Sequence, residues 1–506
     1  MPIDSQEPSP DRESRSPLDP SPEWIRELGR EVVEFAANYY GSLRDIAVYP
    51  RTSSSELRSR LAEPLPTEGR DISELLRLFQ DVVVPGSRHN GHPRALGYVS
   101  SPGTAVAAMA DFLASVLNAN LTAWRSSPAP VELERVAIGW IREAMGLDPA
   151  GGGLFLSGGS MAHLAALTAA RHHHCGEDVA AEGFQSLTRP LRVYASQEVH
   201  HSIDKAAAIL GIGHRNVRRI AVDSALRLRV DELERAIEED RAAGRDPLCI
   251  VATAGTVVTG AVDPLAAIVE VARRQKLWLH VDACYGGFAR LATSTRHLFD
   301  GLEQADSMAL DPHKWMYLPV DCGCLLYRDA EASRAAFVLG ADYTRMIVEE
   351  QAEAFAFWDY GPELTRRFRA LKVWMVMAHV GARALGAAVE SNLDCARYLA
   401  GRIGESAEFE LSAPVALSIV CFRHLPERFR GRPRSEADER EVDDWNERVL
   451  VALQEGGSSY LSNASIDGRF ALRGCVINYR TTRADMDVLL DDVRRAADEV
   501  AAGRTR

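Results

Sequence analysis

A chain of 506 residues exceeds one ordinary domain, so two or more hydrophobic cores are expected. Its 46% hydrophobic and 25% charged residues are ordinary for a globular protein. A net charge of -13, with no Lys/Arg-rich block to offset it, argues against nucleic acid and anionic membrane as partners. No apolar run is long enough to span a bilayer, and the N-terminus has no charged-then-apolar leader pattern. The eight cysteines (Cys175, Cys249, Cys284, Cys322, Cys324, Cys395, Cys421 and Cys475) are scattered, several within apolar runs. That pattern predicts core thiols in a reducing, cytoplasmic compartment rather than a disulfide framework. Cys322-Gly323-Cys324 is too tight for a paired metal knuckle and is read as turn and strand.

Residues 1–21, rich in Ser, Pro, Asp and Arg, have almost nothing to bury and predict a disordered tail. Trp24–Leu43 has helical periodicity with a broad apolar face, expected to pack on another subunit or domain. A second helix, Ile72–Val84, stops before Pro85-Gly86, and a Gly- and Pro-punctuated passage from His89 leads to a helix over Ala105–Leu117. From Gly151 strands and helices alternate. Strands are expected at Leu154–Leu156, Leu191–Ala195, Leu248–Ala252, Trp278–Val281, Met308–Leu310 and Cys324–Tyr327, and helices at Met161–His172, Ser202–Leu210 and Leu265–Gln275. This is an α/β pattern with a mostly parallel, helix-covered sheet, whose ligands sit beyond the carboxyl ends of the strands. A long helix from Leu364 past Gly386 leads to a smaller α+β section. Its strands are expected at Ala416–Phe422 and Arg469–Ile477, with a closing helix at Arg483–Ala502 and a solvated charged loop at Arg428–Arg440.

Four features fall at the expected strand ends. Ser157-Gly158-Gly159-Ser160 stands between a strand and a helix, where free amides and the Ser160 hydroxyl can cradle a phosphate, although such turns are common without one. His200-His201-Ser202 follows the next strand; a flat imidazole there can stack on an aromatic ring, or the pair can cap the helix. Neither these nor His172-His173-His174 has the spacing that aims two rings at one metal ion. Asp282 ends the apolar run Leu279-His280-Val281 and needs a cationic partner, either a structural arginine or a protonated pyridine nitrogen. Lys314, between two apolar runs, is a candidate Schiff-base former, since a poorly hydrated lysine favours its neutral amine; the plain alternative is an ammonium that snorkels to water. Cradle, stacking histidine, acid and amine, in that chain order, fit pyridoxal 5′-phosphate. A nucleotide site at the same turn would need a Lys-Ser/Thr ending or spaced glycines, which are lacking.

The chain resembles the group II pyridoxal-phosphate-dependent amino-acid decarboxylases, most closely the aromatic-L-amino-acid decarboxylases, from about Trp24 to the closing helix. The resemblance rests on Ala37-Asn38-Tyr39, His92-Pro93, Ser127-Pro-Ala-Pro-Val-Glu-Leu-Glu134, the Gly-Gly-Ser turn, His280-Val-Asp-Ala-Cys-Tyr-Gly286, Asp311-Pro-His-Lys-Trp315, Arg366-Arg-Phe-Arg-Ala-Leu-Lys372 and Val420-Cys-Phe-Arg423. It implies an aspartate-aminotransferase-like fold (fold type I): a mostly parallel seven-stranded sheet with helices on both faces and a small α+β C-terminal domain. It further implies a homodimer with shared active sites. The domains would be a 22–104 helical segment packing on the dimer partner, a 105–390 cofactor domain and a 391–506 small domain. By resemblance Lys314 is the Schiff-base lysine, Asp282 the pyridinium partner, His200 the stacking ring, and Tyr343 the catalytic tyrosine of a mobile loop. Gly158, Gly159, Ser160, Thr256, Cys284, Asp311 and His313 complete the cofactor set, and Tyr98, Val99, Asn120, Thr122 and Trp315 the substrate pocket. The implied reaction converts an L-amino acid to its amine and CO₂; an aldehyde synthase on the same cofactor, or a decarboxylase of a non-aromatic amino acid, is the alternative. Two positions depart from the animal members: Asp311 replaces Asn, and Val257 replaces Thr. Around the substrate, Val99, Asn120 and Thr122 replace apolar and aromatic residues, and Arg125 beside Trp124 could hold an acidic side chain or be solvated.

Overall fold

Short runs of residues buried on both faces build the central sheet of the computed structural model, which describes residues 18–338 and 355–504. The strands are β1 (Gly153–Leu156), β2 (Leu191–Ser196), β3 (Val217–Ile220), β4 (Asp246–Thr253), β5 (Trp278–Asp282), β6 (Ser307–Leu310) and β7 (Gly323–Tyr327). Their spatial order is β1-β7-β6-β5-β4-β2-β3. Helices cover both faces, which is why the strands are near-continuous apolar runs instead of alternating ones. All pairings from β6 through β5, β4 and β2 to β3 are parallel; β7 alone runs the other way, antiparallel to both β6 and β1. Six carboxyl ends therefore share one edge, and the loops leaving β1, β2, β5 and β6 meet there.

A second sheet follows, β8 (Phe409–Leu411), β9 (Ile419–His424), β10 (Ser462–Ile466) and β11 (Arg469–Cys475), antiparallel in the order β10-β11-β9-β8. Helices Glu436–Gly456 and Arg483–Ala501 pack against it and close a separate core that includes Phe422, Leu453, Leu472 and Leu489. The helix Ala370–Gly404 spans the expected domain boundary at 390, with a break at Gly381 (φ 76°). It starts six residues later than expected because the Arg366 amide is bonded instead to the Asn120 side chain at 2.9 Å. The expected loop Arg428–Arg440 is half helix: a capping box between Ser435 and Asp438 starts the helix at Glu436. Its arginines are not merely solvated, since Arg434 clamps Glu410 and Glu439 at 2.7 Å each. The Ile72–Val84 helix is α-helical only to Leu78 and loosens into a π turn over Phe79–Val83.

Residues up to Ile46 form a unit of their own, whose helix Pro22–Ser42 is capped by Ser21 and has Trp24, Ile25, Val32 and Val33 exposed. The tail predicted for residues 1–21 lies mostly outside the described residues. No described helix is long and apolar enough to cross a membrane. All eight cysteines are free, and seven of them are buried.

One buried ion pair ties the sheet edge to the segments around it. Glu134, from helix Pro128–Ala144, accepts the Phe155 amide of β1 at 3.1 Å and an Arg366 N–H. Arg366 also donates to the Leu121 and Phe155 carbonyls at 2.9 Å, and both side chains are essentially inaccessible. Removing the arginine would strand a carboxylate in the core. Arg366→Met is therefore expected to destabilise the protein by roughly 3–5 kcal/mol. Chemical denaturation of the variant measures this, and a loss below about 1 kcal/mol would assign the pair no such role.

Candidate active site

At the shared carboxyl edge lies a cavity of about 360 Å³. Its walls are Ser157–Met161 from the turn after β1 and His163 from the helix that follows it, His200 and Ser202 from beyond β2, and Thr253, Gly255 and Val257 from the end of β4 and the loop beyond it. Asp282 at the end of β5 and Cys284 and Tyr285 just beyond it, with Asp311, His313 and Lys314 from the turn after β6, complete it.

The glycine turn is shaped by close approach. A Cβ on Gly159 would stand 2.5 Å from the Cys284 sulfur, and Gly255 adopts φ +109° with its Cα side against Gly286. Gly159 opens the helix that runs to Cys175, so its amide and that of Ser160 have no intrahelical acceptor and face the cavity as an anion cradle.

Asp282 is buried at the end of β5, and its carboxylate accepts the Cys284 amide at 3.1 Å. Among the described residues no arginine pairs with it; its ion-pair-range neighbour is His163, Nε2 to Oδ2 at 3.5 Å. Burial alone would raise its pKa, yet His163, Lys314, the Cys284 amide and His200 together hold it below the usual carboxylate range. It therefore presents an anion to the cavity with no strong cation bonded to it.

His200 turns its ring to the cavity while His201 turns out to solvent beside Asp204. Nδ1 of His200 accepts the Ser202 amide at 3.2 Å and lies 2.7 Å from the Ser202 hydroxyl. Burial lowers the pKa of the ring, so it is neutral with its proton on Nε2. His313 is likewise shifted down by burial and is anchored through Nδ1 to the Cys322 backbone, 2.7 Å from its carbonyl.

Lys314 departs from the sequence-based expectation of a neutral amine. Burial is the largest single influence and lowers its pKa, but the Asp311 carboxylate 2.9 Å away, Cys284 and Asp282 together outweigh it, and the net shift is upward. The lysine waits as an ammonium. The other Asp311 oxygen, Oδ1, is buried beside Gly158 and His313 and has no hydrogen-bond partner among the described residues.

Several expected residues stand elsewhere. The Thr256 hydroxyl accepts the Ala261 amide and closes its own turn, leaving Val257 to line the cavity. Trp315 lies under the site, wholly buried, stacked at 5.2 Å on Tyr285 and donating to Asn392. Tyr98 is exposed with the Arg88 guanidinium 4.8 Å over its ring, and Val99, Asn120 and Thr122 do not line this cavity. Tyr343 lies outside the described residues. Sequence reasoning missed His163. Its signal was the spacing of four from Gly159, which places it one helical turn below the cradle, facing β5.

An amine, a facing carboxylate, a flat neutral imidazole and a glycine cradle fit pyridoxal phosphate, and the fold and site define a pyridoxal-phosphate enzyme. The pyridoxal-dependent decarboxylase conserved domain matches residues 55–425. An aromatic-L-amino-acid decarboxylase of Bacillus atrophaeus is 33% identical over 95% of this chain and 97% of its own length. The solved structure of Oryza sativa TDC with PLP and tryptamine superposes with a TM-score of 0.88 at 28% identity, covering 96% of this chain and 100% of that one. That of Rhodiola rosea 4-hydroxyphenylacetaldehyde synthase gives 0.84 at 27%, covering 95% and 99%. The chain belongs to the pyridoxal-dependent decarboxylase family and is an amino-acid decarboxylase whose cofactor is pyridoxal phosphate.

Because a free amine is the reactive form toward the cofactor aldehyde, the Asp311 contact sets the pH at which Lys314 reacts. Asp311→Asn removes the largest cause that raises the lysine pKa. The pH midpoint for colour development when apoprotein meets cofactor should then fall by roughly one to three units. An unmoved midpoint would mean that Asp311 does not control the amine.

Proposed function

We propose that this enzyme releases CO₂ from an aromatic L-amino acid and returns the amine, with Lys314, Asp282, His200 and Tyr343 as its catalytic residues. The observation that carries this reading is the convergence of Lys314, Asp282, His200 and the Gly158–Ser160 cradle on one cavity. The aromatic substrate class is supported by the 33% identity to an aromatic-L-amino-acid decarboxylase over nearly both chains.

In this account the amides of Gly159 and Ser160 hold the cofactor phosphate, with Ser157 and His313 beside them. With the cofactor bound, Lys314 would supply the amine that holds its aldehyde and would release it to a substrate amino group. Asp282 would hold a proton on the ring nitrogen, and His200 would cover a face of the ring. When bound, the cofactor supplies the electron sink that takes the pair left as the Cα–carboxylate bond breaks. Val257, Cys284 and Tyr285 wall the cavity, so the departing carboxylate is poorly solvated before it leaves. Tyr343 would be the proton donor to Cα, and Lys314 would again hold the aldehyde between turnovers.

The enzyme is proposed to act as a cytoplasmic homodimer, a reading supported by its eight free cysteines and by unpartnered apolar side chains. On helix Ala105–Leu117, Met109, Phe112, Leu113, Val116 and Leu117 are exposed, and on helix Pro22–Ser42 so are Ile25 and Val33. Tyr98, Val99, Asn120 and Thr122 would then complete the substrate pocket of the second copy. Phe112→Asp with Val116→Asp should shift the mass in solution toward the monomer and lower activity together, as sedimentation equilibrium and turnover would show. A fully active monomer would overturn shared sites.

A panel of L-amino acids assayed for CO₂ and amine tests the reaction: aromatic acids should turn over fastest, and Lys314→Ala should abolish turnover. Faster release from aliphatic or acidic amino acids would overturn the substrate class. The likeness to an aldehyde synthase favours a second reading, oxidative deamination coupled to decarboxylation, which Tyr343 decides. Wild-type protein should yield amine, whereas Tyr343→Phe should yield aldehyde, ammonia and peroxide at the expense of O₂. An unchanged product profile would assign the proton to another residue.

A further inference from the structure

Asp282 does not end at the cavity. A line of buried groups runs from it through the sheet: His163, His280, Ser307 and Trp278. His163 Nε2 lies 3.5 Å from Asp282 Oδ2, and His163 Nδ1 lies 2.9 Å from His280 Nε2. His280 Nδ1 lies 2.9 Å from the Ser307 hydroxyl, which accepts the Trp278 indole N–H at 2.9 Å. These residues come from helix Gly159–Cys175, β5 and β6, and parallel pairing sets His280 directly opposite Ser307.

The proton positions follow one from another. The carboxylate faces His163 Nε2 across 3.5 Å, an ion-pair contact longer than a hydrogen bond, and because it only accepts, its charge favours the tautomer with the proton on Nε2. Burial lowers the pKa of both imidazoles, that of His280 to about 3, so each carries a single proton. His163 Nδ1 is then a lone pair, which requires the proton of His280 on Nε2 and leaves the His280 Nδ1 lone pair to accept from Ser307. At the far end the indole can only donate, which suits the remaining acceptor capacity of the serine. A group that only accepts closes one end and a group that only donates closes the other. The remaining groups that bear on His163 are the Asp311 and Lys314 charges, the His200 ring and the Cys284 sulfur 3.8 Å from Nε2.

A packing pair of histidines would need none of this order, and a doubly protonated His163 would compete with the cofactor ring nitrogen for Asp282. Neutral donors stabilise the anion through aligned dipoles while leaving its whole charge for the ring. We propose that His163 is a positioning residue for Asp282, fixed as its Nε2–H tautomer by the one-way chain from Trp278 through Ser307 and His280, and that this chain keeps the acid charged and aimed at the ring nitrogen. The proposal deepens the reading above and rests on it.

The test compares cofactor dissociation constants, measured by equilibrium dialysis on purified full-length protein, for wild type, His163→Leu, His163→Gln and Ser307→Ala. Leucine removes the donor, so the Asp282 pKa rises, and affinity should fall roughly tenfold for each unit by which that pKa comes to exceed the pH. Because a protonated acid cannot hold the ring, the variant-to-wild-type ratio should grow as pH falls from about 8 to about 6. Glutamine, whose amide N–H can reach the same oxygen, should restore affinity to within about threefold. Ser307→Ala, which deletes one hydroxyl far from the cavity, should show the same pH-dependent loss in smaller measure, with the apoprotein folded by circular dichroism. Leucine binding as wild type does, glutamine failing to rescue, or Ser307→Ala losing affinity equally at every pH would each overturn the relay. Wild-type protein that took up no cofactor would instead overturn the reading it rests on.

Discussion

A carboxylate buried at the end of a central strand without a strong cation is the constraint on which the rest of the site depends. Asp282 sits between β4 and β6, where desolvation penalises its charge, and its neighbours nonetheless hold it ionised. A structural arginine would have satisfied it at no functional gain. The Cys284 amide and a neutral imidazole stabilise the anion without neutralising it, which leaves its full charge for a protonated ring nitrogen. The glycine cradle, the His200 ring and the Lys314 amine then stand where one flat, phosphorylated aldehyde can touch all of them.

The sheet explains why these groups meet although they are spread over more than 150 residues of chain, from Gly158 to Lys314. The one reversed strand, β7, slots between β6 and β1 and brings the β1 turn to the same edge as the lysine, so that Gly158 and Gly159 lie against Asp311. The second domain reaches the same region through Arg473 of β11, which donates to the backbone carbonyls of Val257, Val258 and Tyr98. The loop beyond β4 is therefore held from outside the sheet as well as from within it.

Much of this was legible in the sequence because short apolar runs ending in Gly, Asp or His are strong strand-end signals. β5 and β6 came within a residue of their expected limits, and the acid, amine, imidazole and cradle were all named from such ends. Three things were not legible. The ammonium state of Lys314 depends on which way the Asp311 side chain turns, a fact of rotamer and not of spacing. His163 sits in a helix interior, where a lone histidine looks like any core residue until β5 is laid beside it. The Glu436 helix was hidden by the charge of its flanks, although Ser435 and Asp438 carried its start signal.

The central claim is that one amine, that of Lys314, carries the cofactor. Borohydride reduction of the cofactor-loaded protein, followed by proteolysis and mass spectrometry, tests it most directly. The account predicts one stoichiometric phosphopyridoxyl addition per chain, on the peptide containing Asp311-Pro-His-Lys314. The same addition on any other lysine, or none at all, would contradict it.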